Sequence, residues 1–281
     1  MRRFLIALAA VLGTVLAGAA RNDSIVRPVL SQYMFELGSA HLADTYLTPL
    51  RYSGWRAALS YGRMQAMRFS PDRWVMSLDG RLSLDRTVNP AGNAAMWAID
   101  FRPSWSMMRR FTLPAGFTLS AGGKVELGLG ALYLARNGNN PVAAQASLTV
   151  GATALAAWNG RVGRLPLTLS CRPSLPLTGV FFSPDYDELY YEIWLGNHSG
   201  LCHAAWLGNY FRFDNLLAAD LHFGATTLRL GYRAEVFSSK VSGIVSRRVT
   251  HTFVIGVCTE WLSLRAGARR TPDARIVSAL Y

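Results

Sequence analysis

Lysine is nearly missing from this chain: of its 29 basic residues, only Lys124 and Lys240 are not arginine. Charge of either sign is scarce, at 16% of 281 residues, with 17 acidic residues against the 29 basic ones. Cysteine occurs three times, at Cys171, Cys202 and Cys258, an odd number at wide spacing that makes neither a disulfide framework nor a zinc site. Beyond residue 20 no apolar run approaches the ~18 residues of a membrane-crossing helix, so helical spans are excluded. A glycine-rich phosphate loop, a metal-type histidine cluster and the paired carboxylates of a glycosidase are also missing. No cofactor and no metal are expected.

What is present begins with a leader. Arg2-Arg3 precede an apolar run from Phe4 to Leu16, and Ala17-Gly18-Ala19 supply small residues for cleavage after Ala19 or Ala20. The apolar run is too short to span a membrane, so residues 1–20 read as a secretory signal peptide. The exported remainder belongs to a sequence that is 51% hydrophobic. Without a helical span, such a chain can meet lipid through a closed barrel, because only helices and closed barrels satisfy every backbone group inside a bilayer. The basic residues are dispersed along an exported chain, so nucleic acid is not expected as a partner. The arginine surplus is compatible with anionic lipid head groups or sugar phosphates, and equally with a genome that favours arginine codons.

The clearest pattern lies between Tyr210 and Phe237. Phe211, Phe213, Leu217, Ala219, Leu221 and Phe223 share one parity, with Ala218, Asp220 and His222 on the other. After Gly224-Ala225-Thr226, Leu228, Leu230, Tyr232, Ala234 and Val236 alternate with Arg229, Gly231, Arg233 and Glu235. A period of two marks strands with one apolar and one polar face, joined here by a hairpin. Aromatics at both ends of the first apolar face resemble the girdles of a membrane-crossing strand.

Similar segments recur from Tyr33 onward, and their number predicts an all-β, transmembrane, antiparallel up-and-down β-barrel of about 12 strands over residues 21–264. Among them are Tyr33–His41, Gly54–Met67, Arg73–Arg86, Phe117–Tyr133, Ala146–Ala156, Leu189–Leu195, Leu201–Leu207 and Arg248–Leu262. Leu42–Ser53, Asn137–Pro141, Pro173–Asp187 and Ser238–Arg247 read as outward loops. Ser70–Asp72, Asn197–Gly200 and Gly224–Thr226 read as short turns on the opposite side, and Asn159-Gly160 as a further turn. Residues 265–281 break the pattern and read as a C-terminal tail or a displaced edge strand.

The segments Asp44-Thr45-Tyr46-Leu47-Thr48-Pro49-Leu50, Gly208-Asn209-Tyr210-Phe211, and Leu228-Arg229-Leu230-Gly231-Tyr232 through Thr250-His251-Thr252-Phe253 resemble an uncharacterised family of exported outer-membrane β-barrel proteins. That family is known only as a domain of unknown function. The resemblance implies a barrel and supplies no catalytic residues.

On the polar parity stand Asp79, Arg81, Asp100, Arg102, Lys124, Glu126, Asp220, His222, Arg229, Arg233 and Glu235, joined by Arg56, Asp85, Arg172 and Glu192. Enclosed in a narrow barrel, these charges must pair, since an unmatched buried ion costs several kcal/mol. The expectation is an outer-membrane barrel with a salt-bridged lumen, structural or passing a small solute. Its expected partners are outer-membrane lipid and the barrel assembly machinery. Two alternatives stay open at this point. A barrel-embedded lipid or lipopolysaccharide hydrolase needs His-x-Ser or Ser-x-His on one strand face, and no such spacing occurs, although Asp220 and His222 share a face. A soluble periplasmic barrel or sandwich would have to reverse the faces. Asp185-Tyr186-Asp187-Glu188 offers hard oxygen ligands for calcium or, as readily, solvated loop charge.

Overall fold

A computed structural model describes residues 25–186, 188–196, 199–224, 226–261 and 275–280. The leader read over residues 1–20 lies outside them. Inside-facing and outside-facing residues alternate along almost every strand, and the faces are the reverse of a soluble protein. In the strand Trp74–Val88, Val75, Ser77, Arg81, Ser83, Asp85 and Thr87 are buried, while Leu78, Leu82, Leu84 and Arg86 are exposed. Leu59 is 61% exposed and Leu82 45%, whereas Glu36 and Glu235 are 0% exposed. Apolar side chains on the outer wall and ions within are what a hydrocarbon surrounding selects.

The elements run β1 (Ile25–Val26), β2 (Val29–Asp44), β3 (Thr48–Ala66), β4 (Trp74–Val88), β5 (Ala95–Thr112), β6 (Phe117–Leu134), β7 (Val142–Val162) and β8 (Leu165–Phe182). A one-turn helix α1 (Tyr190–Trp194) follows, then β9 (Cys202–Trp206), β10 (Tyr210–Phe223), β11 (Thr226–Val241), β12 (Ile244–Trp261) and β13 (Arg275–Ile276). Strands β2 to β8 and β10 to β12 pair antiparallel in ring order, ten in all. Closure comes from β12 on β2, in register from Trp261↔Val29 to Ser246↔Asp44. An even number lets first and last strands meet antiparallel, and closure leaves the ring without an unpaired sheet edge.

The count is ten, not about 12, because two expected strands do not close the ring. Leu189–Leu195 holds α1, whose first turn is fixed by the Leu189 N–H donating to the Glu192 carboxylate at 2.9 Å. The segment within Leu201–Leu207 is β9, which pairs only with the end of β8. Four connections also differ from expectation. In place of a loop over Leu42–Ser53 there is a three-residue turn, where the Asp44 carboxylate accepts the Tyr46 N–H at 3.1 Å. Ser238–Arg247 is a two-residue hairpin turn with Ser242 and Gly243 both at positive φ, 49° and 76°. Asn159-Gly160 continues β7, since Asn159 pairs across to Thr168, and the turn falls at Gly163. Pro173 to Phe182 remain in β8, with Leu177 bulging where the β7 register shifts between Val150 and Gly151, next to Pro176.

One end of the barrel, here the near end, carries the short connections β3–β4, β5–β6, β7–β8 and β10–β11, together with both described termini. The far end carries the long connection between β8 and β9, which holds α1. Ser199 and Gly200 belong to that far-end connection, not to the short-turn side. The tail returns: Arg275–Ile276 pairs in parallel with Ile25–Val26 at the near end.

Leu82 stands in mid-wall, paired with Leu59 and Phe101. Leu82→Arg is expected to lower the unfolding free energy in liposomes by about 2–4 kcal/mol, the cost of a guanidinium at the hydrocarbon midplane. An unchanged unfolding curve would mean that this wall faces water.

Candidate functional site in the barrel lumen

Alternation along ten strands points every polar-parity side chain at one axis, so the lumen is the site the fold builds. At its middle sits Glu235 of β11. Its carboxylate meets Arg102 at 2.6 Å, Arg81 at 2.7 Å, Arg212 at 3.1 Å and Arg56 at 4.0 Å. Arg102 lies on β5, five places round the ring of ten from β11. One ion pair therefore crosses the whole diameter.

Around this hub the charges are shared. Asp214 bridges Arg233 at 2.7 Å and Arg81 at 2.9 Å, and Glu36 accepts from Arg233 at 3.1 Å and from the Ser60 hydroxyl at 2.7 Å. Arg102 also meets Asp100 at 2.5 Å, and Arg56 meets Asp85 at 3.3 Å. Arg248 approaches Asp100 and Asp85 at 3.6 and 4.0 Å. Nearer the short-turn end the pairs are forked: Arg172 on Asp79 at 2.9 and 2.6 Å, and Arg229 on Asp220 at 2.7 Å twice. Lys124 pairs with Glu126 at 2.6 Å. The planar guanidinium suits these bidentate, multiply shared contacts better than an ammonium does.

Each end of the lumen is closed by different chemistry. At the near end, Val277, Ala279 and Leu280 of the tail are buried, and the last two pack on Leu30, Met64, Val75, Met108, Leu155, Ala157 and Cys258. The Arg110 guanidinium donates to the Ala279 carbonyl, and the Ser278 hydroxyl to Glu260. Arg275 fastens the outside to Asp72 at 2.7 Å. At the far end the lid is aromatic. Tyr46 donates its hydroxyl to the Glu188 carbonyl at 2.8 Å, and the Ala144 N–H donates to the Tyr190 hydroxyl at 2.6 Å. The two rings meet edge to face, and Tyr190 stacks on Phe182. Burial is the main cause that raises both phenols above their ordinary range; the neighbouring Tyr190 and Glu188 add to it for Tyr46. Between hub and tail a cavity of about 70 Å³ remains, and another of about 50 Å³ lies under the lid. Each holds a few water molecules at most.

Of the eleven residues first named on the polar parity, ten, Asp79, Arg81, Asp100, Arg102, Lys124, Glu126, Asp220, Arg229, Arg233 and Glu235, are ion-paired in this lumen. His222 stands apart at the near-end rim. Its Nδ1 and Nε2 each lie 2.9 Å from a threonine hydroxyl, of Thr227 and Thr168, and Thr168 donates onward to Asn159 at 2.7 Å. Both ring nitrogens are thus matched by hydroxyls, which makes His222 a link in a hydrogen-bonded chain. Glu192, expected inside, is exposed on α1. Glu36, Arg212, Asp214 and Arg248 belong to the network and were not singled out by the sequence. The parity shared by Arg212, Asp214 and Asp220 was the available signal. Among the described residues no three His, Cys, Asp or Glu side chains converge as metal ligands; Asp187 lies outside them.

Removing the hub leaves several guanidinium groups buried with too little negative charge. Glu235→Ala is expected to lower stability by about 3–5 kcal/mol in a detergent-solubilised unfolding titration. A loss under 1 kcal/mol would show that water, not Glu235, solvates these arginines. The tail gives a second test. With Cys171 and Cys202 replaced by serine, a hydrophilic maleimide is expected to label Cys258 at least tenfold faster once residues 275–281 are deleted. Equal rates would mean that the tail does not seal the near end.

A family model described as protein of unknown function (DUF3316) matches residues 4–268. No curated protein matches. Among solved structures, the chain is similar to the outer membrane protease OmpT from Escherichia coli, at 6% identity and a TM-score of 0.46, covering 86% of this chain and 98% of that one. It is also similar to the translocator domain of the autotransporter NalP from Neisseria meningitidis, at 10% identity and a TM-score of 0.39, covering 92% and 96%. Neisserial surface protein A is similar at 10% identity and a TM-score of 0.34, covering 82% and 97%. With its match running over nearly the whole sequence, the chain belongs to the DUF3316 family.

Proposed function

We propose that this protein is an outer-membrane barrel that is structural in its resting state, with a lumen filled by its own ion pairs and not by a channel. The observation that carries this reading is the Arg102–Glu235 pair at 2.6 Å across the full diameter, with Arg81 and Arg212 on the same carboxylate. A ring of ten strands has a narrow interior, and side chains fill it. The near-end tail and far-end aromatic lid reinforce the closure. An outer-membrane seat is supported by the signal-like leader, the apolar outer wall, and aromatic residues near both rims. Trp55, Trp97 and Tyr133 stand toward the far rim, and Trp74, Phe111, Phe117 and Trp261 toward the near one. Both described termini at the near end favour that end as periplasmic, with the long connection facing out.

In planar bilayers the purified full-length protein is expected to give no conductance steps at moderate voltage, while showing heat-modifiable mobility on gels. Steady unitary steps from the unmodified chain would overturn the closed-barrel reading in favour of a small-solute pore.

A further inference from the structure

On the outer wall the charges are of one sign. Every carboxylate on the barrel strands has the inward parity or sits at a strand end, whereas Arg51, Arg63, Arg86, Arg109, Lys240 and Arg247 are exposed. Arg51 and Arg63 lie on the same face of β3, twelve positions apart, which is about 30 Å along the axis at ~3.3 Å per residue and ~40° tilt. That span matches the hydrocarbon thickness of a bilayer, so these cations stand at the two head-group levels.

The far rim gathers them into an arc. Lys240 on β11 pairs with Val245 on β12, and Arg247 follows two residues later on the same face. Arg247 faces Ala43 of β2, and Ala43 faces Arg51 of β3. Two inter-strand steps put the Arg247 and Arg51 backbones ~10 Å apart, with the small Ala43 leaving a recess between them. Arg86 on β4 extends the arc down the wall: it pairs opposite Trp55, four positions along β3 from Arg51, with its guanidinium 5.8 Å from the Trp97 ring, which meets Trp55 edge to face. Across β11, β12, β2, β3 and β4 no carboxylate faces outward, and none of these four cations enters an ion pair among the described residues. The contrast with the lumen, where arginines are held by carboxylates, is complete.

We infer that this arc binds the phosphate groups of an anionic lipid in the leaflet at the far end. Guanidinium groups grip phosphate oxygens bidentately, the aromatic pair marks the boundary where acyl chains begin, and the apolar wall below accepts those chains. The inference rests on the membrane reading above and adds a ligand class and a place to it.

The test uses the full-length protein in zwitterionic detergent, with native mass spectrometry of retained lipid. Three probes are compared: bisphosphorylated lipid A, the same lipid dephosphorylated, and inorganic phosphate as competitor. The wild type is expected to retain lipid A in a salt-sensitive manner, and R51Q/R86Q/R247Q to weaken retention at least tenfold. The near-rim control R63Q/R109Q is expected to leave it unchanged. Equal retention by the triple variant, equal binding of the dephosphorylated lipid, or displacement by equimolar inorganic phosphate would each overturn the proposal. Flotation with zwitterionic vesicles separates the two readings. If wild type and variant both float but retain lipid A equally, only the arc fails; if neither floats, the membrane reading falls and takes the arc with it.

Discussion

The constraint on which the structure depends is that ions shut inside a narrow cylinder with an apolar outer wall can be neutralised only by one another. The cavities beside the hub and under the lid are small, and the apolar wall gives an inward guanidinium no route outward. Glu235 answers this by sharing two oxygens among arginines from four strands, so that removing any one strand from the ring would strand charge in the others. Buried ion pairs add little net stability compared with well-packed apolar groups. Their value here is different. A chain with apolar residues on both faces of every strand would aggregate before reaching a membrane, and inward charges keep each strand amphipathic on the way. The same residues then fix register, because a one-residue slip would turn arginine to the apolar outer face and leucine to the ionic interior.

The two ends solve a different problem. Where the ionic network stops, the lumen would open to water and admit competing solvent to the outer pairs. Apolar packing does the sealing at the near end, and ring stacking with backbone hydrogen bonds does it at the far end. Both seals are built from segments outside the ring: the tail, and the long β8–β9 connection. Strand chemistry alone would have left an ion-lined tube.

Much of this was legible in the sequence because the alternation is strong. Arg73–Arg86 and the Tyr210–Phe237 hairpin carry fold, face assignment and most of the network. What escaped was local. Leu189, Tyr191, Ile193 and Leu195 have the period of a strand, yet the segment closes into a helical turn through local backbone hydrogen bonds and the Glu192 carboxylate on the Leu189 N–H. Pro173 and Pro176 argued for a loop, but a bulge at Leu177 lets them stay in β8. Ser242-Gly243 is a compact hairpin turn hidden between long polar stretches. Glu36, Arg212, Asp214 and Arg248 lie near strand ends or beside aromatics, where attention to the apolar parity obscures the polar one. The seal at the near end had a faint signal: Leu30, Met64, Val75, Met108 and Leu155 are apolar on the polar parity. Such exceptions make sense only once another apolar segment is known to meet them, and Val277, Ala279 and Leu280 are far away in sequence.

The position of that tail has a consequence for the order of events in folding. Its residues follow β12, the strand that must find β2 more than two hundred positions away to complete the ring. Until those edges join there is no mouth for Leu280 to enter, and pairing across so great a separation is slow. The cork is thus the last piece placed, and its seating records that the cylinder behind it has already shut.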